Sequence, residues 1–445
     1  MEGLNNMSPQ SSKIVTFNDD HGLVAENFIN ELCNIRFFKD FVVRSPKYSN
    51  SGGEKEVSDV LIIFNDIILN IQVKSKIEDK PFSEKNETDI QRIEKKITKG
   101  IEQLKELTSV LNNKKVNSFK TERGITIPLI RQNFRKIGIV CLNLSGEERL
   151  PTDEQTNLKM YYTDKYDHEI HCFKNEVFKC ILDELTTLPD FLRYLEYRKI
   201  FLKNEAIVPL TKELDFLAFY KSRYPEVKRG AREIKGGKKF FLVLEENLWE
   251  SYLSHTEELN QRSEDDEVSR WFDYLIETKS ESIGFKATKN AVPGSEESYW
   301  QIICQLAKLD RLQRRAFSEQ CLKKAILADN SPRGYNYCLM PFPELKIAFV
   351  YVAYRSTNRD ERRELLQVLC ASAAITMKKS TLIITQILGI ATENFSAEFH
   401  SDDMLLADAE GLIESLPADS PLFDEKNNFF APMSQTKVFE FRQSK

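Results

Sequence analysis

Apolar positions along the chain follow two periods, and the switches between them outline the elements. DDHGLVAENFINEL repeats Val24, Phe28 and Leu32 at four-residue spacing behind Asp19 or Asp20, which predicts a capped helix with those three residues inward. A short strand is expected over Phe41 to Arg44, followed by SPKYSNSGGEKE as a polar, glycine-containing loop. VSDVLIIF and IILNIQVKSK are β-rich runs on either side of Asn65 and Asp66, and predict a hairpin. From Thr88 to Leu111 the residues Ile90, Ile93, Ile97, Ile101, Leu104, Leu107 and Leu111 step by three and four, so a long amphipathic helix is expected, with Lys95, Lys96 and Lys99 on its other side. KIGIVCLNLS and EIHCF read as strands, and FKNEVFKCILDELTTLPDFLRYLEYRKIFL as two helices broken at Pro189. The order predicts a mixed sheet flanked by helices over residues 1–204.

Beyond residue 205 the texture changes. Lys221 to Lys239 holds eight Lys or Arg against two Glu, with three glycines, and reads as a mobile basic connection spanning 205–240. Helices are expected near 245–278 and 297–327. KIAFVYVAY and STLIITQILGIAT bracket the helical DERRELLQVLCASAAITM, which predicts a second α/β domain over 241–445 with one crossover unit. The whole is expected to be an α/β (α+β) protein.

Composition adds exclusions. The 445 residues, 41% of them hydrophobic, with 16 Gly and 15 Pro, fit a globular protein and exclude a collagen-like or largely disordered chain. The longest apolar runs fall short of the roughly 18 to 20 residues that cross a bilayer, and the first twenty residues lack a secretory pattern. A cytoplasmic location without membrane contact is therefore expected. Eight cysteines form no CxxC pair and are expected as buried small hydrophobes. The net charge of −5 gives no global attraction to nucleic acid, so such binding would need local basic patches.

The segment with candidate chemistry is Gly52 to Lys76. If Asn65 and Asp66 form the turn, Phe64 faces Ile67 and every cross-strand pair has residue numbers summing to 131. Asp59 then faces Gln72. Ile68, Asn70, Gln72 and Lys74 share one face of their strand, while Ile67, Leu69, Ile71 and Val73 share the other. The register thus brings a carboxylate, an amide oxygen and an ammonium to one patch. Asp59 can hold a divalent cation, and Gln72 with the Val73 main-chain carbonyl can add neutral oxygens, which suits Mg²⁺. Lys74 would orient the attacking water and balance charge at a phosphate. Glu54 or Glu56 could complete the shell.

These residues resemble the PD-(D/E)XK nuclease superfamily, in particular the restriction-endonuclease-like branch that includes the Mrr and NERD families. The resemblance rests on an upstream acid, Asp59 at the start of a strand and, thirteen residues later, Gln72-Val73-Lys74 on the next. Gly22 and Glu26 in HGLVAENF look like the glycine and glutamate that many Mrr-like helices place near the metal. Lys99 and Gln103, one turn apart on the following helix, are similar to residues that serve the site or the phosphate. The resemblance covers roughly residues 15–175 and implies a restriction-endonuclease-like fold there.

It also implies a Mg²⁺-dependent endonuclease, with Mn²⁺ able to substitute, that hydrolyses phosphodiester bonds in DNA rather than RNA. Asp59, Gln72, Val73 and Glu56 would hold the metal, Lys74 would position the water and Glu26 would assist. Lys76, Lys99 and Gln103 would contact nucleic acid; apart from the resemblance, the charge of the basic segment with Lys228, Arg229 and Arg232 could neutralise several phosphates, the alternative being a solvated linker. Restriction or anti-phage defence, a homo-oligomer for duplex cleavage and a helicase or ATPase partner are further implications. One departure is Gln72, which stands where the commonest pattern has Asp or Glu and supplies an oxygen without a charge. The competing expectation is a catalytically weak or inactive nuclease-fold protein that binds nucleic acid or acts as a scaffold in a defence complex.

Other motifs are bland. Arg311, Arg314 and Arg315 are expected in ion pairs rather than at DNA, and His168 and His171 on opposite faces of a strand. No P-loop, GxSxG or GxGxxG context is present.

Overall fold

The computed structural model describes residues 21–50, 53–75, 89–113, 115–129, 134–143, 161–163, 169–208, 213–245, 247–278, 285–287, 296–393, 403–424 and 426–430. In chain order the first half contains α1 (His21–Phe37), β1 (Val42–Arg44), β2 (Lys47–Asn50), β3 (Gly53–Glu56), β4 (Val60–Phe64), β5 (Ile67–Ser75), α2 (Asp89–Asn112), β6 (Ser118–Lys120), β7 (Thr126–Pro128), β8 (Arg135–Asn143), β9 (Tyr161–Thr163) and β10 (Glu169–Lys174). A helical layer follows: α3 (Asn175–Glu184), α4 (Leu188–Lys203), α5 (Glu213–Ser222), α6 (Tyr224–Lys235), α7 (Leu248–Ser254) and α8 (Thr256–Thr278), with the short β11 (Ile207–Val208) and β12 (Leu242–Val243) between them. The remainder is β13 (Phe285–Ala287), α9 (Glu296–Ala307), α10 (Arg311–Asp329), β14 (Tyr335–Phe342), β15 (Ile347–Tyr354), α11 (Arg359–Lys379), β16 (Gln386–Thr392), β17 (Asp403–Asp408) and α12 (Ala409–Glu414). The protein is thus mixed α/β, as expected.

The first sheet has the order β1-β4-β5-β8-β10-β9. β4 and β5 pair antiparallel with Phe64 opposite Ile67 and Val60 opposite Ile71, the register expected from the turn. Asn65 accepts the left-handed backbone of that turn at φ 51°, which asparagine tolerates better than most residues. β5 and β8 run parallel, joined by α2 as a crossover. Alternation along β5 then sorts its side chains: Leu69, Ile71 and Val73 enter a core shared with α1, and Ile68, Asn70, Gln72 and Lys74 turn toward α2. Ile97, Leu104 and Leu107 of α2 are buried over this second face. Close approach requires Gly138 of β8, where a Cβ would lie 2.5 Å from Leu104 Cδ1.

The second sheet, β13-β17-β16-β15-β14, contains the expected crossover, with β15 and β16 parallel and joined by α11. One hydrophobic core runs from Ala25 through the helical layer to Leu406. Polar clamps reinforce it. Arg314 is buried between the rings of Phe38 and Phe272 and pairs with Asp273 at 2.6 Å. The Tyr299 hydroxyl donates to buried Asp40 at 2.7 Å.

Several expectations are corrected. The inward face of α1 is Ala25, Ile29, Leu32 and Cys33, whereas Val24 and Phe28 are exposed, because the spacing 25, 29, 32, 33 is the one that covers β5. The polar loop before the hairpin is in part a two-stranded ribbon, β2 with β3. The basic segment is not a mobile connection: α5 and α6 fill it, with Phe216, Phe219, Tyr220, Val227 and Ala231 in the shared core. Chain reversal near Pro189 occurs just before it, at Thr187, whose side chain caps α4 while the proline takes a first-turn position that needs no N–H. The helical stretches expected near 245–278 and 297–327 are present as two helices each, and a capping box at Asp310 starts α10. All eight cysteines are free and six are buried. Among the described residues no helix is long and apolar enough to cross a membrane.

Candidate active site at the end of the first hairpin

Asp59 stands one residue before the β4–β5 ladder begins, where the chain leaves the sheet. Its main-chain carbonyl accepts from Ser45 N at 3.0 Å, and its carboxylate Oδ2 accepts the Val73 amide proton at 2.5 Å. Gln72 is buried, and its side-chain Nε2 donates to Val57 O at 3.4 Å, which leaves Oε1 directed at Lys74. The Lys74 ammonium lies 3.2 Å from Gln72 Oε1, 2.9 Å from Val73 O and 3.5 Å from Asp59 Oδ2. A carboxylate, an amide and a main-chain carbonyl therefore gather around one cation. The Asp59 and Lys74 side chains are 11% and 13% exposed, so the cluster is largely dry yet still meets solvent.

Burial pushes the Asp59 carboxyl above the ordinary carboxylate range, against the opposing pull of Lys74 and of the Val73 N–H. Glu56, at the exposed end of β3, is also raised, first by desolvation of its carboxylate and then by the negative charge of Asp59, with a hydrogen bond to Ser45 and the charges of Lys47 and Lys74 acting in the opposite sense. This electrostatic coupling puts Glu56 in the same field as Asp59 and Lys74. Glu54 is exposed in the ribbon, opposite Ser49.

The donor set is all oxygen. Among the described residues no group of three or more His, Cys, Asp or Glu side chains could hold a metal ion, so any divalent cation here would depend on the Gln72 amide and the Val73 carbonyl as well as on Asp59 and Glu56. That mixture of charged and neutral oxygens fits a hard cation such as Mg²⁺. Three of these four groups, Asp59, Gln72 and the Val73 carbonyl, already face the Lys74 ammonium, a positive charge seated among them.

Other expected site residues are more scattered. Lys99 is exposed on α2, and Gln103 is half-buried with an Oε1 that finds no donor among the described residues. Glu26 is half-buried on α1, the helix that packs on β5. Lys76 and His168 lie outside the described residues. Lys228, Arg229 and Arg232 are exposed on α6. Arg311 and Arg315 form ion pairs with Asp273, Asp265 and Asp266, as expected, but Arg314 is buried rather than at the surface. His171 is buried against Arg198, at 3.0 Å from its guanidinium.

Sequence reasoning missed two contributors. Lys96 donates to Ser75 O at 2.7 Å, which ties α2 to the end of β5; its place at the start of the helix among three lysines was the available signal. The Ser58 hydroxyl lies 2.7 Å from Asn70 Oδ1 and 2.8 Å from Val60 O, and its one proton donates to either of them at the bend that carries Asp59. Comparison of the chain with protein-family models, with curated proteins and with solved structures found no match.

Proposed function

We propose that this protein is a metal-dependent nuclease of the PD-(D/E)XK, restriction-endonuclease-like kind, acting on phosphodiester bonds in DNA, and that the end of the β4–β5 hairpin is its active site. The observation that carries this reading is the convergence of Asp59 Oδ2, Gln72 Oε1 and Val73 O on the Lys74 ammonium within 3.5 Å. The order of the elements that build the first sheet and its covering helices, α1, β1, the β4–β5 hairpin, α2 and the parallel β8, with the ribbons β2–β3 and β6–β7 inserted, supports the same reading.

Asp59, Gln72, the Val73 carbonyl and Glu56 are the groups that would hold Mg²⁺ or Mn²⁺. Bound there, the ion would supply a Lewis acid toward a phosphate oxygen and lower the pKa of an attacking water. Asp59 must be ionised to serve, and the Val73 N–H holds its carboxylate in one orientation. Val57 O fixes the Gln72 amide so that its oxygen, not its nitrogen, faces the site. Lys74 supplies a positive charge next to the reacting phosphate and a donor that can orient water.

One observation favours a second reading. The Lys74 ammonium already satisfies the oxygen cradle, and Gln72 contributes no charge, a combination suited to a nuclease-fold scaffold that binds nucleic acid without cutting it. Incubating the full chain with supercoiled plasmid and Mg²⁺ or Mn²⁺, beside Lys74→Ala, separates the two. Nicking that the variant lacks supports the enzyme; equal binding and no cleavage by either protein supports the scaffold. A role in restriction or anti-phage defence, with a helicase or ATPase partner, is part of the proposal and rests on the resemblance alone.

A further inference from the structure

Most of the arginines in the core and between the helices are paired. Arg135, Arg193, Arg198, Arg262, Arg311, Arg314 and Arg315 each form salt bridges with Asp or Glu. α6 behaves differently. Lys228, Arg229 and Arg232 recur on one side of it at three- and four-residue spacing and are exposed, while Val227, Gly230 and Ala231 on the opposite side are buried. Lys238 and Lys239, just past the helix, are exposed as well. None of these five side chains has a salt-bridge partner among the described residues, whereas Arg223 and Lys235 at the two ends reach Glu245 and Glu196 at 3.9 and 3.3 Å. Only Glu226 and Glu233 offset them within the helix.

Like charges this close repel one another, and on a chain of net charge −5 they form a local exception. Packing explains why the helix exists but not why its outer side is basic. Gly230, for example, is required because the Phe240 ring lies 2.5 Å from where a Cβ would be, a constraint that says nothing about Lys228, Arg229 or Arg232.

We propose that the solvent side of α6, with Lys238 and Lys239, is a phosphate-backbone anchor for nucleic acid, separate from the candidate active site. The choice of nucleic acid among polyanions rests on the nuclease reading. From Lys228 to Lys235 the helix rises about 10 Å, equal to the axial advance of about three base pairs at ~3.4 Å each. The anchor also lies toward the far end of the first sheet. Lys235 pairs with Glu196, and Glu196 with Arg135, the first residue of β8, whereas Lys74 sits beside Leu142 near its last. Seven residues of strand separate those ends, about 23 Å. Nucleic acid engaged at both places therefore continues for about seven base pairs or more, and the anchor sets position without reading bases.

The test is equilibrium binding of a labelled 30-base-pair duplex of arbitrary sequence to the full chain, in EDTA and in the Asp59→Asn background, so that the outcome does not depend on cleavage. The expected result is measurable binding that falls steeply with salt. Lys228→Ala/Arg229→Ala/Arg232→Ala should weaken it at least tenfold and flatten the log–log salt slope by about 2 to 3. Lys228→Arg/Arg232→Lys should bind like the parent, which distinguishes lost charge from lost fold. An unchanged affinity and slope in the triple alanine variant would overturn the proposal, as would binding to anionic phosphatidylserine vesicles without binding to the duplex. If the duplex binds as expected but plasmid is never cut, the anchor stands and the nuclease reading fails.

Discussion

β5-α2-β8 and β15-α11-β16 are two crossover units of the same design, each a parallel strand pair whose helix covers one face. Their covered faces differ. Under α11, β15 presents Ala348, Val350 and Val352, all apolar and buried with Leu366, Leu369 and Cys370. Under α2, the matching positions of β5 run Ile68, Asn70, Gln72, Lys74, becoming polar toward the strand end. Burying Asn70 and Gln72 costs free energy unless each polar atom finds a partner, and Asn70 Nδ2 has none among the described residues. The second unit shows that this protein can complete such a face with valine. A polar face at the mouth of the first unit is therefore not demanded by the crossover design, and it is the feature the proposed active site would use.

The comparison can be broken by exchanging the two logics. Phe349→Ala, on the shared-core side of β15, should lower stability by about 3 to 5 kcal/mol through cavity formation, read from denaturant midpoints, while the remaining folded protein keeps its metal-dependent cleavage. Asp59→Asn should do the reverse. It should reduce cleavage on the order of 10²- to 10³-fold in single-turnover assays without lowering the thermal midpoint, because a buried carboxylate already held above its ordinary range is a cost at neutral pH. A large loss of stability in Asp59→Asn would identify the cluster as a structural ion pair.

Gln72→Glu sharpens the contrast. Adding a negative charge to the oxygen set should lower the Mg²⁺ concentration for half-maximal cleavage, by about tenfold, and a higher Mg²⁺ requirement would count against Gln72 as a ligand.

A smaller effect concerns pH, and its two readouts have opposite signs. Because the folded Asp59 carboxyl titrates above the unfolded one, its contribution to stability is fully present below the unfolded value and is lost as pH rises through the folded value. Cleavage needs the ionised form, so it should decline on acidification from a pH above the ordinary carboxylate range. Paired pH profiles of melting and cleavage check this; an acid limb at the ordinary aspartate value would contradict it.

Much of the site was legible because it follows from arithmetic of register. A turn at Asn65 and Asp66 with an apolar alternate face permits one pairing, and its continuation brings the Asp59 carboxylate to the Val73 amide and the Lys74 ammonium. The second crossover unit was legible from runs such as KIAFVYVAY, whereas the first half was expected only as a mixed sheet and its parallel β5–β8 pairing was not. What escaped had weak or misleading patterns. β3 is exposed along its whole length, so no alternation marks it as a strand. α6 was hidden by Gly230 and by charge density, although Tyr224, Val227, Ala231 and Ile234 carry a helical stripe. The rotation of α1 was misread because Val24 and Phe28 are large, while the residues it buries include the smaller Ala25 and Cys33. Arg314 could not be read as buried, since its partner Asp273 and the flanking Phe38 and Phe272 are distant in sequence.

The central claim, that the hairpin end is a divalent-cation site for catalysis, is tested most directly by titrating Mn²⁺ into the full chain and into Asp59→Asn by isothermal calorimetry. One site per chain in the parent, lost in the variant, is the predicted result. Equal Mn²⁺ binding by both proteins, or none by the parent at millimolar concentration, would contradict it.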